Sequence, residues 1–159
     1  MPVSDYVAGL RQLIGPRLLV LPGVTAVIRD DNAHYLLALH VAGNRWGLIG
    51  GAVEPLEGPR DALKREVREE IGADIEIHSV LDSYGGTNLL NKYPNGDLVS
   101  YVTTVYLCQL LGDASAVEAD EISDIAWFSR DQIRALERFE WIDPVLDDAQ
   151  RFFDDEDAR

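Results

Sequence analysis

Cysteine is nearly missing from this 159-residue chain, with Cys108 its only one. An intrachain disulfide and a cysteine-rich zinc site are therefore both excluded, and the chain suits a reducing compartment such as the cytoplasm. Positive charge is scarce as well: 14 Lys and Arg stand against 28 Asp and Glu, for a net charge of −14. Nucleic-acid backbones are held mainly by cations that neutralise phosphates, so DNA binding is not expected. A small phosphorylated ligand remains compatible with this acidity if metal cations stand between its phosphates and the carboxylates. No run approaches the roughly 20 apolar residues that span a bilayer, and the N-terminus lacks the basic and apolar stretches of an export signal. A soluble, unexported, cytoplasmic protein without a membrane partner is the expectation.

Hydrophobic residues make up 47% of the chain, enough for one core and, at this length, too little chain for two ordinary domains. A single domain over residues 1–159 is predicted. Val3, Tyr6, Val7, Leu10, Leu13 and Ile14 recur at helical spacing behind Ser4, and Gly15-Pro16 ends the pattern. Residues 1–16 thus read as an amphipathic N-terminal helical extension lying on the domain. Thr25 to Arg29 and Tyr35 to Val41 are β-prone and flank the polar Asp30-Asp31-Asn32, which reads as a hairpin. After the glycine-rich stretch Gly47 to Gly51, the pattern from Pro59 to Ile71 is helical, with Pro59 suited to its first turn and Gly72 to its stop. Further strands are predicted at Ile75 to Tyr84, Ser100 to Leu111 and Ile125 to Phe128, with a turn at Asn95-Gly96. Ser100 to Leu111 is apolar or β-branched on both alternating faces, so layers must cover the sheet on both sides. Ser129 and Gln132 form a capping box for one helix, another follows Asp143-Pro144, and residues 154–159 read as a frayed, disordered tail.

The segment from Gly51 runs as glycine, five residues, Glu57, seven residues, Arg65-Glu66-Val67, one residue, Glu69-Glu70, one residue, Gly72. Glu66, Glu69 and Glu70 stand at i, i+3 and i+4, which sets three carboxylates on one helix face. By spacing only Glu69 has a basic partner there, Arg65, so like charges repel and a cation would offset the cost. Carboxylate oxygens are hard ligands suited to Mg²⁺ or Mn²⁺. Leu63, Val67 and Ile71 form an adjacent apolar stripe for docking on the sheet, while Lys64 and Arg68 face water. The plainer alternative is an acidic stripe on a solvated helix of an acidic protein.

The spacing closely resembles the Nudix box, a match expected by chance about once in 10⁸ start points at roughly 7% per residue type. The resemblance implies an α/β (α+β) fold, a Nudix-like α-β-α sandwich with a mixed sheet between helices. It implies a metal-dependent pyrophosphohydrolase with catalytic Glu66, Glu69, Glu70 and Arg65, and metal held by Glu66, Glu69, Glu70 and the Gly50 carbonyl. Relatives often add an acid from a loop six or so residues before a Trp-Phe strand; Glu121 fits that place, with Asp120 as fallback. Glu57 would brace the loop from behind the ligands, and Gly51 would let the backbone turn back tightly. Ile49 stands where many relatives have proline, and Ala73 replaces a larger aliphatic; neither removes a ligand.

Substrate contacts are sought among Trp46, Tyr84, Tyr93 and Tyr101, whose rings can stack a base, and Arg29, Arg45 and Lys92, which can reach phosphates. His34 and His40 lack further ligands for a metal, and Cys108 lies in an apolar strand that suits the core. The expected reaction splits a pyrophosphate bond in a nucleoside triphosphate or in a nucleoside diphosphate linked to another moiety, with an ADP-sugar such as ADP-ribose slightly ahead. Asn88 occupies the place of the proline that marks many ADP-ribose hydrolases, so the substrate stays open. The alternatives are an RNA 5′ pyrophosphohydrolase, a nucleotide-sensing domain that does not cleave, and a structural Ca²⁺-binding module. The partner is expected to be a small nucleotide, with the chain a monomer or homodimer.

Overall fold

The computed structural model describes residues 3–159; residues 1 and 2, where the predicted extension begins, lie outside the described residues. Along the chain run α1 (Asp5–Ile14), β1 (Leu19–Ile28), β2 (Tyr35–His40), β3 (Arg45–Gly47), β4 (Ile49–Ala52), α2 (Pro59–Ile71) and β5 (Asp74–Tyr84). A 3-10 turn (Thr87–Leu89) then precedes β6 (Leu90–Lys92), β7 (Leu98–Leu111), β8 (Ile122–Phe128), α3 (Arg130–Arg134) and α4 (Ile142–Asp157). Local chemistry sets the helix ends. The Ser4 hydroxyl accepts from the Val7 N–H at 3.2 Å, and Ser129 and Gln132 cap α3 reciprocally. Pro59 opens α2, and Gly72 closes it in the left-handed conformation at φ 63°.

Two sheets form. In the larger, the order is β4-β1-β7-β5, with β6 also on β7; β1 runs parallel to β7 from Leu19↔Val99 to Ile28↔Cys108, and the other pairs are antiparallel. The smaller is antiparallel, in the order β3-β2-β8. The hairpin expected of β1 and β2 is corrected accordingly: after one bridge, Arg29↔Tyr35, the strands part into different sheets. The polar turn is present, with the Asp30 carboxylate accepting from the Asn32 and His34 N–H groups. It redirects the chain because β1 is already flanked by β4 and β7. The glycine-rich stretch Gly47 to Gly51 runs from the end of β3 into β4.

Side chains of alternating direction feed two cores. Val24, Ala26 and Ile28 of β1, with Tyr106 and Cys108 of β7, pack under Leu63, Val67 and Ile71 of α2. Val27, Val105 and Leu107 face the other way, against Ile142, Val145, Leu146 and Ala149 of α4. The result is an α+β molecule with helices on both sides of the mixed sheet. Strand β2 supplies both cores, Leu36 and Ala38 to the first and Tyr35 and Leu37 to the second.

Residues 154–157 are not the frayed tail expected. Helix α4 continues through Asp157, Gln150 Nε2 donates to Asp154 Oδ1 at 2.7 Å, and Phe152 and Phe153 pack on the core just upstream. At the other end α1 buries none of its residues. The tightest backbone approach is at Gly50, where a Cβ would collide with the Val24 carbonyl oxygen and lie 2.9 Å from Thr25 Cα. Backbone in the middle of a sheet cannot yield. Gly50→Ala is therefore expected to destabilise the protein by at least about 2–3 kcal/mol, read as a lowered denaturant midpoint.

Candidate active site

Helix α2 meets β4 through its carboxylates. A Cβ on Gly51 would lie 2.5 and 2.6 Å from the two Glu66 carboxylate oxygens, so only glycine lets the strand pass this side chain. Gly51 does not have a positive φ. Its requirement is this close approach and not the tight turn inferred from the sequence. One residue earlier, the Gly50 N–H donates to Glu70 Oε2 at 3.2 Å.

Arg65 joins the pieces. Its Nε donates to Glu57 Oε1 at 2.8 Å, Nη2 to Glu57 Oε2 and the Ala52 carbonyl at 3.0 Å each, and Nη1 to Glu66 Oε1 at 2.8 Å and Glu69 Oε2 at 3.1 Å. These bonds engage all five guanidinium N–H groups, leaving none for a ligand. Arg65, placed with the catalytic residues by the resemblance, makes these contacts to Glu57, Glu66, Glu69 and the Ala52 carbonyl. Spacing assigned it to Glu69 alone, because adjacent helix residues do not face each other; the length of the side chain brings it to Glu66 as well. Glu57 Oε2 also accepts from the Glu54 N–H at 3.0 Å, tying the loop before α2 to the helix.

Two of these acids are deeply buried, Glu66 at 1% exposure and Glu70 at 3%. Burial pushes the Glu66 carboxyl up to about 7; the Arg65 hydrogen bond and charge oppose that, while Glu69 and Glu118 add to it. Burial, then the charge of Glu66, raises Glu70 well above the carboxylate range against the opposing Gly50 N–H. The hydrogen bond from Arg65 holds Glu57 below its ordinary value. A low-dielectric patch with more carboxylates than cations has the chemistry of a site for hard divalent ions. Among the described residues, no three acids, histidines or cysteines stand close enough together to hold a metal ion. Glu66 and Glu69 lean on a shared Arg65 nitrogen, and Glu70 on the Gly50 N–H.

The sequence reading missed Glu118. Its charge acts on both Glu66 and Glu70. The loop arrives there because the Val117 N–H donates to the Glu70 carbonyl and the Ser115 N–H to that of Ile71, each at 3.0 Å. This zipping onto the end of α2 leaves no trace in residue spacing. The backbone of Glu121, the acid chosen by counting, is engaged elsewhere, its N–H with the Glu118 carbonyl and its carbonyl with the Val41 N–H; Asp120 is exposed.

Of the substrate candidates, Tyr93 and Tyr101 come together. Burial, the hydrogen bond with Tyr93 and the charge of Glu66 all push the Tyr101 phenol up. Three others serve the opposite, α4 side of the sheet. Trp46 packs edge-on against Phe128 with centroids 4.9 Å apart, the Tyr84 hydroxyl donates to Asp148 at 2.6 Å, and Arg29 lies 4.3 Å over the Phe153 ring. All three are engaged by side chains on that side of the sheet. Arg45 and Lys92 are exposed on β3 and β6. His40 contacts the Leu48 carbonyl at 3.2 Å, with burial lowering its pKa, and His34 pairs with Asp30 at 3.5 Å. Cys108 is buried, which pushes its thiol up to about 12.

The candidate site is thus an acid-faced helix packed on a glycine-bearing strand within an α+β fold. The NUDIX domain model matches residues 20–149. The nucleoside triphosphatase NudI of Klebsiella pneumoniae (strain 342) is 30% identical over 116 residues, covering 66% of this chain and 79% of that protein. The crystal structure of a MutT NUDIX hydrolase from Burkholderia pseudomallei is similar at a TM-score of 0.60 and 30% identity, covering 71% of this chain and 85% of that one. A NUDIX hydrolase from Nitrosomonas europaea reaches a TM-score of 0.69 at 26% identity, covering 84% and 90%. The chain belongs to the NUDIX family, and it is a pyrophosphohydrolase.

Two expectations follow from the geometry. In Gly51→Ala the added methyl meets the end of a side chain and not backbone, so stability is expected to fall by only about 1 kcal/mol while turnover falls further as the Glu66 carboxylate is displaced; paired unfolding and rate measurements separate the two. The second concerns pH. Folded Glu66 keeps its proton up to about 7 whereas its ordinary value is 4.5, so unfolding releases a proton between those limits and stability falls as pH rises through them. The loss is on the order of 3 kcal/mol from Glu66, and Glu70 shifts in the same direction. The depressed Glu57 acts only below its ordinary value and leaves this window untouched. Denaturant melts in chelator are expected to show lower stability at pH 8 than at pH 5, with Glu66→Gln flattening the slope.

Proposed function

We propose that the chain hydrolyses a pyrophosphate bond in nucleoside triphosphates, or in nucleoside diphosphates linked to another moiety, with Mg²⁺ or Mn²⁺ as cofactor. The carrying observation is the pair of buried carboxylates, Glu66 and Glu70, at 1% and 3% exposure, on a helix whose Arg65 guanidinium is fully committed. Glu66, Glu69 and Glu70 would hold the ions, joined by an acid of the loop after β7, either Glu118 or Glu121. The N–H of Gly50 points at Glu70, and a strand residue's carbonyl projects to the same side as its N–H; this supports that carbonyl as a further ligand. In Glu66, Glu69 and Glu70 alike, these hydrogen bonds from Arg65 and Gly50 use one carboxylate oxygen of the two.

Divalent ions held by these residues would screen the phosphates and lower the pKa of a water. Glu66 or Glu69 takes the proton of the attacking water, whose oxygen bonds to one phosphorus as the P–O–P bridge breaks, giving two phosphate-bearing products. Arg65 and Glu57 keep the helix and loop in register throughout. Similarity to a nucleoside triphosphatase favours nucleoside triphosphates over the ADP-sugars put first from sequence alone. The single, buried thiol fits work in the reducing cytoplasm.

A panel of nucleoside triphosphates and nucleotide sugars, with products identified by mass, tests the substrate and the bond cleaved. Turnover is expected to require Mg²⁺ or Mn²⁺, to stop on chelation, and to fall on the order of 10²-fold or more in Glu69→Gln. Wild-type rates in that variant would refute the metal-ligand role.

A further inference from the structure

Between β4 and α2 the chain reverses over Glu54-Pro55-Leu56-Glu57, and the Glu57 N–H donates to the Glu54 carbonyl at 3.1 Å across the turn. A turn with proline in its second place and a positive φ in its third is of type II. Its third place favours glycine or asparagine, because in the left-handed region a Cβ crowds the neighbouring carbonyl oxygen. Leucine stands there instead, at φ 66°. Among the described residues the other non-glycine positions with positive φ are Ala33 and Asn44, in the turns before and after β2, so Leu56 is the one in the active-site loop. Its side chain is fully exposed, and no packing offsets the backbone strain.

The turn is held by other means. At its ends the loop is anchored by the backbone: the Val53 N–H donates to the Pro22 carbonyl at 3.1 Å, and the Gly58 carbonyl accepts from the Ala62 N–H at 2.9 Å as the cap of α2. Between these anchors the Glu57 carboxylate accepts from the Glu54 N–H at 3.0 Å and from Arg65 Nε and Nη2 at 2.8 and 3.0 Å. Charge-assisted bonds of that kind are stronger than neutral ones, and here they act against the preference of Leu56 for a negative φ. The same guanidinium bonds the Ala52 carbonyl, Glu66 and Glu69. The strained turn and the aim of two acids of α2 therefore share one clasp.

We propose that Leu56 is a positioning residue that loads the active-site loop against the Glu57–Arg65 clasp and gives the loop two states. One is the clasped, left-handed turn. In the other, Leu56 has returned to a negative φ, Glu57 has left Arg65, and the guanidinium has lost the edge that fixes its orientation toward Glu66 and Glu69. Strain kept at a site by the bonds around it is a means of holding a loop ready to move. The two-state turn stands on the backbone and the clasp alone, and only its effect on turnover rests on the hydrolase reading above.

Thermal melts of the full chain in chelator, with Leu56→Gly, Leu56→Ala, Glu57→Ala and the double variant Leu56→Gly/Glu57→Ala, test the turn. Leu56→Gly removes the Cβ that strains it. The greater freedom of glycine in the unfolded chain takes back part of the gain, and Tm is expected to rise by about 2–4 °C. Leu56→Ala removes the exposed side chain but keeps the Cβ, so Tm is expected to stay within about 1 °C of wild type. In Glu57→Ala the turn has already relaxed, and adding Leu56→Gly is expected to bring no rise. An equal rise in the glycine and alanine variants would assign the effect to the exposed side chain. An equal rise with and without Glu57 would show that the clasp does not hold the strain. Either result, or no rise in Leu56→Gly, would overturn the proposal. Steady-state rates on nucleoside triphosphates with Mg²⁺ read the positioning role. Glu57→Ala is expected to lower kcat about tenfold or more, with KM changed much less, and by about threefold or less when Leu56→Gly is present, because glycine keeps the turn without the clasp. Equal kcat losses in the two backgrounds would refute that role. A wild-type chain that releases no phosphate product from any nucleotide with metal would instead defeat the hydrolase reading, and the melts would still decide the turn.

Discussion

The guanidinium of Arg65 spends its five N–H groups on four partners drawn from three places: Glu57 in the loop, the Ala52 carbonyl at the end of β4, and Glu66 and Glu69 on its own helix. Charge-assisted hydrogen bonds of this kind are directional, and a planar fork satisfied on every edge has one geometry. The orientation of α2 against β4, the path of the loop between them and the aim of two carboxylates are therefore set together. With Glu57, Glu66, Glu69 and Glu70 against one cation, the cluster still carries excess negative charge.

That excess connects the packing to the chemistry. Glu66 lies against the bare Cα of Gly51, a contact no larger residue permits, and Glu70 accepts from the backbone N–H of Gly50. A carboxylate removed from solvent either takes up a proton or acquires a positive partner. In the chain alone burial outweighs the partners present: it raises Glu66 against the Arg65 guanidinium and Glu70 against the Gly50 N–H. The second answer is what a pyrophosphohydrolase has use for, because a hard cation held by such oxygens meets substrate phosphates that a net charge of −14 otherwise repels.

Sequence and structure agree wherever the deciding interaction is short-range. Pro59 and Gly72 bound α2, Ser129 and Gln132 start α3, and the i, i+3, i+4 glutamates share a face, all of which depend on backbone geometry within a turn or two. They diverge where partners are far apart in the chain. Strands β1 and β2 form no hairpin because β1 takes β4 and β7 as neighbours. Trp46, Tyr84 and Arg29 are suitable residue types for a substrate but are used to pack against Phe128, Asp148 and Phe153. Glu118 escapes a count back from Trp127 because the loop is positioned by N–H groups meeting the last carbonyls of α2.

The sequence by itself determined the family, the reaction class and the helix that bears the acids, since a spacing of three and four residues becomes a shared face through helix geometry alone. Only the tertiary structure decided which acids are buried, that Arg65 has no donor left to offer, and that Gly51 makes room for a carboxylate instead of turning the chain. Burial and hydrogen-bond saturation depend on atoms brought together from distant parts of the chain, and no local pattern encodes them.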